Sequence, residues 1–390
     1  MNKERLSLIQ GVLDEMVETK WAAGASVLVF RHGKEQCYYQ AGYRDIDAGK
    51  KIERDSIFRM YSMTKPLTSA LVMKLLEDGK IDLLDPVHMY LPGFKNQKYI
   101  DGDKLVDVEL PVNIKQLLDM TSGVSYPGEN NASDKAVAKV VDEAAAKMYT
   151  ADEMTTYELM NKVGECPLAF KPGATWQYGF SADVLGAIIE VVTGKNLADY
   201  MKEVLFDPLE MVDSGFYVPE SKQDRLSRAY EACDNGLIEY SGENLLIQSR
   251  MKQMPKFVSG GAGLASTIDD YSHFNMMLMN KGEYNGRHIL HPQTVKFMTA
   301  GSLTSTQEPG TRAWESLAGF TYGNLLRVMK NPGEAISVST KGEYGWDGWL
   351  GAYMVNIPEC DIMMLMMQQK KDTGTTEYTR RIRNIMYSSI

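Results

Sequence analysis

The chain has 390 residues, 44% of them apolar and 24% charged, enough to bury one large core or two packed domains. Its 51 acidic and 42 basic side chains give a formal net charge of −9, which leaves no electrostatic footprint for nucleic acid or an anionic membrane. No run approaches the roughly 18 apolar residues needed to span a bilayer.

The first segment reads as an amphipathic helix rather than a signal peptide, because Leu6, Ile9, Leu13, Met16 and Val17 recur at helical spacing between acids. Ala25–Phe30 and Gln36–Gln40 read as a strand hairpin turning through Arg31-His32-Gly33-Lys34. Phe58–Ala70 then opens a helix that ends near Asp78-Gly79-Lys80. Leu67, Ala70, Leu71, Leu75 and Leu76 make it apolar almost all round, as in a domain interior. Ser62 and Lys65 stand at i, i+3 and share one face of it. A serine hydroxyl is a weak nucleophile until a base takes its proton, and an amine whose pKa is lowered by apolar surroundings can do so. The same spacing recurs at Ser249-Arg250-Met251-Lys252, in a polar stretch with no apolar run behind it, so the spacing has weight only in context.

Helix signals dominate from there to about residue 205: Ile114–Met120, Ser133–Tyr149, Met154–Val163 and Ala182–Val192, the last closed by Thr193-Gly194. The turn-rich segment Phe170–Tyr178 delivers Tyr178 just ahead of that last helix. A phenol has a pKa of about 10, and a nearby ammonium lowers it, so a Tyr–Lys pair beside a serine makes a workable proton relay. Strands return at Phe320–Val328, Ala335–Thr340, Ala352–Ile357 and Ile362–Met367, followed by a helix over Glu377–Tyr387. Tyr322-Gly323-Asn324 has a Y-x-N form but falls inside a predicted strand. Gly345-Trp346-Asp347-Gly348-Trp349-Leu350-Gly351 reads as a loop whose backbone can approach a ligand and whose amides can face an oxyanion; the Ser62 amide, at a helix start, is the other candidate donor.

A hairpin at the front and strands at the back imply one sheet built from residues 1–79 and 206–390, with residues 80–205 folded over it as an inserted, mostly helical domain. Cys37, Cys166, Cys233 and Cys360 are scattered, without a disulfide framework, and fit a cytoplasmic protein. His288 and His291 flank Ile289-Leu290 beside Pro292, where a loop is expected; neither a metal nor a cofactor is. The 25 methionines, including Met276-Met277 and Met363-Met364, read as core filler.

Six segments in this order resemble one family across nearly the whole chain: Phe58–Lys65, Leu117–Gly123, Pro172–Tyr178, Asp183-Val184-Leu185-Gly186, Gly260–Thr267 and the glycine–tryptophan loop. They are similar to the serine hydrolases of the class C β-lactamase type, most of all its family VIII carboxylesterases, with the lovastatin-type acyltransferases close by. The resemblance implies an α/β, β-lactamase-like sandwich, with an antiparallel sheet built from both chain ends, flanked by helices, and a cleft under the helical domain. It implies Ser62 as the acylated nucleophile, Lys65 as its proton partner, and Tyr178 as base in acylation and acid toward the leaving group. The amides of Ser62 and Trp349 would form the oxyanion hole.

Two departures bear on the substrate. Penicillin-interacting relatives carry Lys-Thr-Gly or His-Thr-Gly where this chain has Trp346-Asp347-Gly348, and an asparagine where it has Phe180. Without that cation a buried substrate carboxylate has no partner, so neutral esters are favoured over anionic substrates. The same loss leaves Lys65 as the only close positive group for Tyr178, and which of the two is the base stays open. Tyr126, Trp176, Phe180, Trp346 and Trp349 are expected to give the cleft an apolar, aromatic lining. The expected protein is a serine esterase taking small-molecule esters. An acyltransferase would share its chemistry, and a D-amino-acid peptidase, a weak β-lactamase or a non-catalytic sensor of the same fold are the rivals. An α/β-hydrolase is disfavoured, since Gly179-Phe180-Ser181-Ala182-Asp183 lacks the final glycine of G-x-S-x-G.

Overall fold

Both ends of the chain meet in one sheet. The computed structural model describes residues 1–390. Its eight-stranded antiparallel sheet contains β1 (Gly24–Arg31), β2 (Lys34–Asp45) and β3 (Lys50–Lys51) from the front of the chain. The back supplies β4 (Phe320–Gly323), β5 (Leu326–Met329), β6 (Tyr344–Asp347), β7 (Tyr353–Ile357) and β8 (Ile362–Gln368). The strand order is β4-β5-β6-β7-β8-β1-β2-β3, so front and back join where Val27 stands opposite Met366.

The pleat sends alternate side chains to two cores. On one face Val27, Val29, Val355, Met364 and Met366 pack against α1 (Lys3–Glu18) and α8 (Glu377–Tyr387), through Leu6, Ile9, Leu13, Ile382 and Met386. On the other, Leu28, Trp346, Met354, Leu365 and Met367 join a 72-residue cluster. That cluster takes in α2 (Thr64–Glu77), α7 (Ile268–Met279) and the helices of the middle of the chain: α3 (Ile114–Leu118), α4 (Ala132–Lys147), α5 (Thr156–Gly164) and α6 (Ser181–Thr193). With Met364 and Leu365 on opposite faces, β8 is buried along its whole length, which is why it reads as a continuous apolar run.

Three sequence expectations need correction. Phe320–Val328 is not one strand but a hairpin, reversed at Asn324 (φ 51°) and Leu325 (φ 63°), two consecutive left-handed residues. An Asn-Leu pair is a weaker turn signal than Asn-Gly; here the surroundings enforce it, as Asn324 Nδ2 donates to Phe297 O (2.8 Å) and the Leu325 amide to Leu118 O (2.8 Å). Ala335–Thr340 forms no strand; the segment is held against α8 by Val338 N–H to Asn384 Oδ1 (2.8 Å). The strand in that part of the chain is β6 instead, so Gly345, Trp346 and Asp347 of the glycine–tryptophan stretch are interior sheet, and Gly345 is needed because a Cβ there would collide with the Met354 carbonyl. A hairpin pairing Lys98–Asp101 with Lys104–Asp107 also stands in the otherwise helical middle, where no strand was expected.

Candidate active site

The N-terminal end of α2 is entered through a strained residue. Tyr61 has φ 43°, a left-handed conformation costly for a bulky side chain, and it opens the 3₁₀ turn Tyr61–Met63 that presents Ser62. The turn is fixed by Thr64, whose hydroxyl donates to Tyr61 O (2.7 Å) and accepts from the Leu264 amide (3.0 Å). One turn on, Lys65 is 0% exposed. Its Nζ lies 3.1 Å from Ser62 Oγ, 3.0 Å from Tyr126 Oη and 2.8 Å from Gly261 O. Burial lowers the Lys65 pKa to about 7, against the opposing pull of Asp183 and Asp347. An amine with that pKa carries a free lone pair in a large share of molecules at neutral pH.

Tyr178 completes the group from the approach to α6. Lys65 Nζ sits 4.5 Å from its ring centroid, and its hydroxyl accepts from Trp346 Nε1 at 2.9 Å. Burial drives the phenol's pKa well up, with hydrogen bonding to Ser62 and Trp346 acting the other way. The direction is opposite to the lowering expected beside an ammonium: burial favours the protonated phenol at Tyr178 and the neutral amine at Lys65. Tyr126 packs edge-on against Tyr178 and Phe180, with centroids 5.7 Å and 4.8 Å away.

Asp183, from the first turn of α6, supports the amine from behind. Its carboxylate is 1% exposed, accepts from Ser259 Oγ (2.5 Å) and from the Gly261 amide (3.1 Å), and so aims the Gly261 carbonyl at Lys65.

The cavity before Ser62 has a volume of about 520 Å³ and is walled by Tyr126, Tyr178, Trp314, Trp346 and Trp349, with Asp347 on its rim. Three of the expected lining residues stand elsewhere. Phe180 and Trp176 are buried behind the wall, Trp176 edge-on to Trp314 at 5.5 Å. Gly348 lies under the cavity floor, where the absence of a Cβ lets the backbone close on Met60 O. At Trp349 the carbonyl accepts from Thr373 N–H (3.1 Å) while the amide has no backbone acceptor.

Sequence reasoning missed Arg327. From β5, opposite Gly345, it is buried and pairs with Asp347 Oδ2 at 2.6 Å, a carboxylate that Thr375 Oγ1 also contacts at 2.5 Å. A cation therefore does stand near the position of the lost lysine, with its charge taken up by Asp347. Trp314 and the Asp372–Thr375 turn were missed as well; only their spatial neighbours mark them. No group of three or more His, Cys, Asp or Glu side chains stands close enough to hold a metal ion, and no helix is long and apolar enough to cross a membrane.

The chain is similar to several known proteins. Protein Rv1367c of Mycobacterium tuberculosis (strain ATCC 25618 / H37Rv) is 28% identical over 372 residues, covering 92% of this chain and 89% of its own. Esterase EstB of Burkholderia gladioli is 28% identical over 357 residues, covering 88% and 85%. Among solved structures, EstCE1, described as a hydrolase with promiscuous acyltransferase activity, superposes with a TM-score of 0.83 at 24% identity over 99% of both chains, which shows the common fold. The Beta-lactamase family model matches residues 9–385. With that match running from α1 to α8, the chain belongs to the beta-lactamase family.

Proposed function

We propose that the protein is a serine carboxylesterase working through an acyl-enzyme on Ser62. The observation that carries this reading is the fully buried Lys65 with its Nζ 3.1 Å from Ser62 Oγ. A neutral amine donates one hydrogen to Gly261 O and one toward Tyr126, which leaves its lone pair for the Ser62 proton. Ser62 Oγ attacks the ester carbonyl, and the oxyanion is met by the amides of Ser62 and Trp349. When the tetrahedral centre collapses, Tyr178, still protonated, gives its proton to the departing alkoxide and is recharged from the Lys65 ammonium. Water then attacks the acyl carbon while Lys65 takes its proton; as the acid departs, the Lys65 ammonium returns that proton to Ser62 Oγ and both groups regain their starting states.

The aromatic wall supports apolar acyl or alkyl groups on a small-molecule ester. Arg327, buried and already paired with Asp347, offers nothing to a β-lactam or peptide carboxylate, which argues against a penicillin-directed or D-amino-acid peptidase activity. Intact Ser62, Lys65 and Tyr178 argue against a non-catalytic sensor. An acyltransferase differs only in the final acceptor, and the aromatic lining of the cavity is the feature that favours it. Four unpaired cysteines fit a reducing compartment, so a cytoplasmic location is part of the same proposal.

The test is p-nitrophenyl butyrate hydrolysis with intact-mass measurement. Wild type is expected to gain a butyryl group on Ser62 and Ser62→Ala to lose at least about 10³-fold in kcat. An alanine variant with wild-type turnover sinks the reading. Added alcohol that diverts the butyryl group from water would identify the transferase.

A further inference from the structure

The cavity in front of Ser62 has a sign. Its 16 lining residues include two aspartates and no lysine, arginine or histidine. Asp347 is neutralised from behind by Arg327. Asp372 makes no salt bridge, although Lys371 beside it is near enough to feel its charge. The one hydrogen bond its carboxylate receives comes from Trp349 Nε1 at 2.6 Å, and the neighbouring Lys371 is engaged by Glu231 at 2.8 Å and lies over the Tyr240 ring. Beside Asp372, the rings of Trp349 and Tyr61 meet with centroids 5.0 Å apart at 59°, and both line the cavity.

A carboxylate next to two electron-rich rings attracts an alkylammonium twice, by charge and by the ring quadrupoles. In open water the carboxylate would select weakly. Asp372 is an exposed residue at the cavity, so selection comes from pairing its charge with the two rings, and the net charge of −9 adds an attraction of the same sign at longer range. The arrangement also has a cost for the chemistry. Trp349 is a proposed oxyanion donor, and a carboxylate held by its indole opposes negative charge on the tetrahedral oxygen. A positive substituent bound at Asp372 would offset that opposition.

We propose that the substrate is an ester bearing an alkylammonium group, which sits between the Asp372 carboxylate and the rings of Tyr61 and Trp349 while the ester carbonyl lies at Ser62. The placement of the carbonyl rests on the esterase reading; the cation corner does not. Two measurements separate them. In the first, the Ser62→Ala protein is titrated calorimetrically with choline and with its uncharged isostere 3,3-dimethylbutan-1-ol. Choline is expected to bind about tenfold tighter. Adding Asp372→Asn should bring the ratio to about one, and Asp372→Glu should restore most of it. Equal affinities, no binding of either compound, or a preference that survives Asp372→Asn overturns the proposal. In the second, butyrylcholine and 3,3-dimethylbutyl butyrate are compared as substrates of the wild type by kcat/KM, with the same tenfold preference expected and the same collapse in Asp372→Asn. Turnover of both esters at equal rates keeps the esterase and removes the cation. Selective choline binding with no turnover of any ester keeps the cation corner and removes the esterase.

Discussion

At the scale of single residues the balance lies between Lys65 and Asp183. Burial holds the Lys65 pKa near 7, far below the ordinary lysine value, and only the neutral amine can receive the Ser62 proton. Acylation is therefore expected to fall as pH drops through about 7, as an acid limb in kcat/KM. The charges that face this amine are Asp183 and Asp347, and both raise its pKa. Asp183→Asn removes one of them while keeping an oxygen for Ser259 and Gly261, so the acid limb should move to lower pH. A pH–rate profile of the variant checks this; a limb that stays in place or moves up would show that Asp183 acts on Lys65 through packing alone. The bonds that matter most here cross long stretches of chain. That Ser62, Lys65 and Tyr178 stand together was legible because each is tied to local spacing or to a helix start, whereas the Tyr126–Lys65 bond and the Arg327–Asp347 pair exist only once helices are docked and strands registered.

At the scale of elements, the β4–β5 reversal is held by Asn324 in two ways: a left-handed backbone that asparagine tolerates, and a side-chain bond to Phe297 O. Asn324→Ala loses both and is expected to cost about 2–3 kcal/mol, while Asn324→Gly keeps the backbone freedom and should cost about half as much. Urea unfolding of the two variants measures the split, and equal costs would place the whole effect in the hydrogen bond. This turn also marks where sequence reasoning stops. Long segments with one dominant period were legible to within a few residues, as in α1, α8 and the β1–β2 hairpin, whereas the helix expected from Phe58 begins only at Thr64, because Phe58–Arg59 pairs with Ala265–Ser266 as a short strand. Short strands were not legible. An apolar run through Phe320–Val328 has the same composition whether it extends or reverses, and the choice is made by contacts to Leu118 and Phe297 that lie far away in the chain. Ala335–Thr340 has strand-like composition but no sheet neighbour to pair with, since β5 and β6 already pair with each other.

At the scale of the molecule, α8 is tied to the sheet by ions as well as by apolar packing. Arg383 and Glu343 form a pair at 2.8 Å with side chains 1% and 0% exposed, and Arg383 also donates to Tyr353 Oη at 2.7 Å. Arg383→Ala leaves a buried carboxylate without its partner and should destabilise by about 3–5 kcal/mol, whereas Arg383→Met combined with Glu343→Leu should recover most of that loss. Thermal unfolding of the single and double variants decides it; a double variant no better than the single would mean the pair itself, rather than the orphaned charge, sets the stability. The adjacency of β1 and β8 at the centre of the sheet has one more consequence. During synthesis Arg31 leaves the ribosome long before Ile362 is made, so the β1–β2 hairpin must wait with one flank open while the intervening chain emerges. Nascent chains of this protein therefore carry an unpaired β1 edge until the last strand arrives to close the gap.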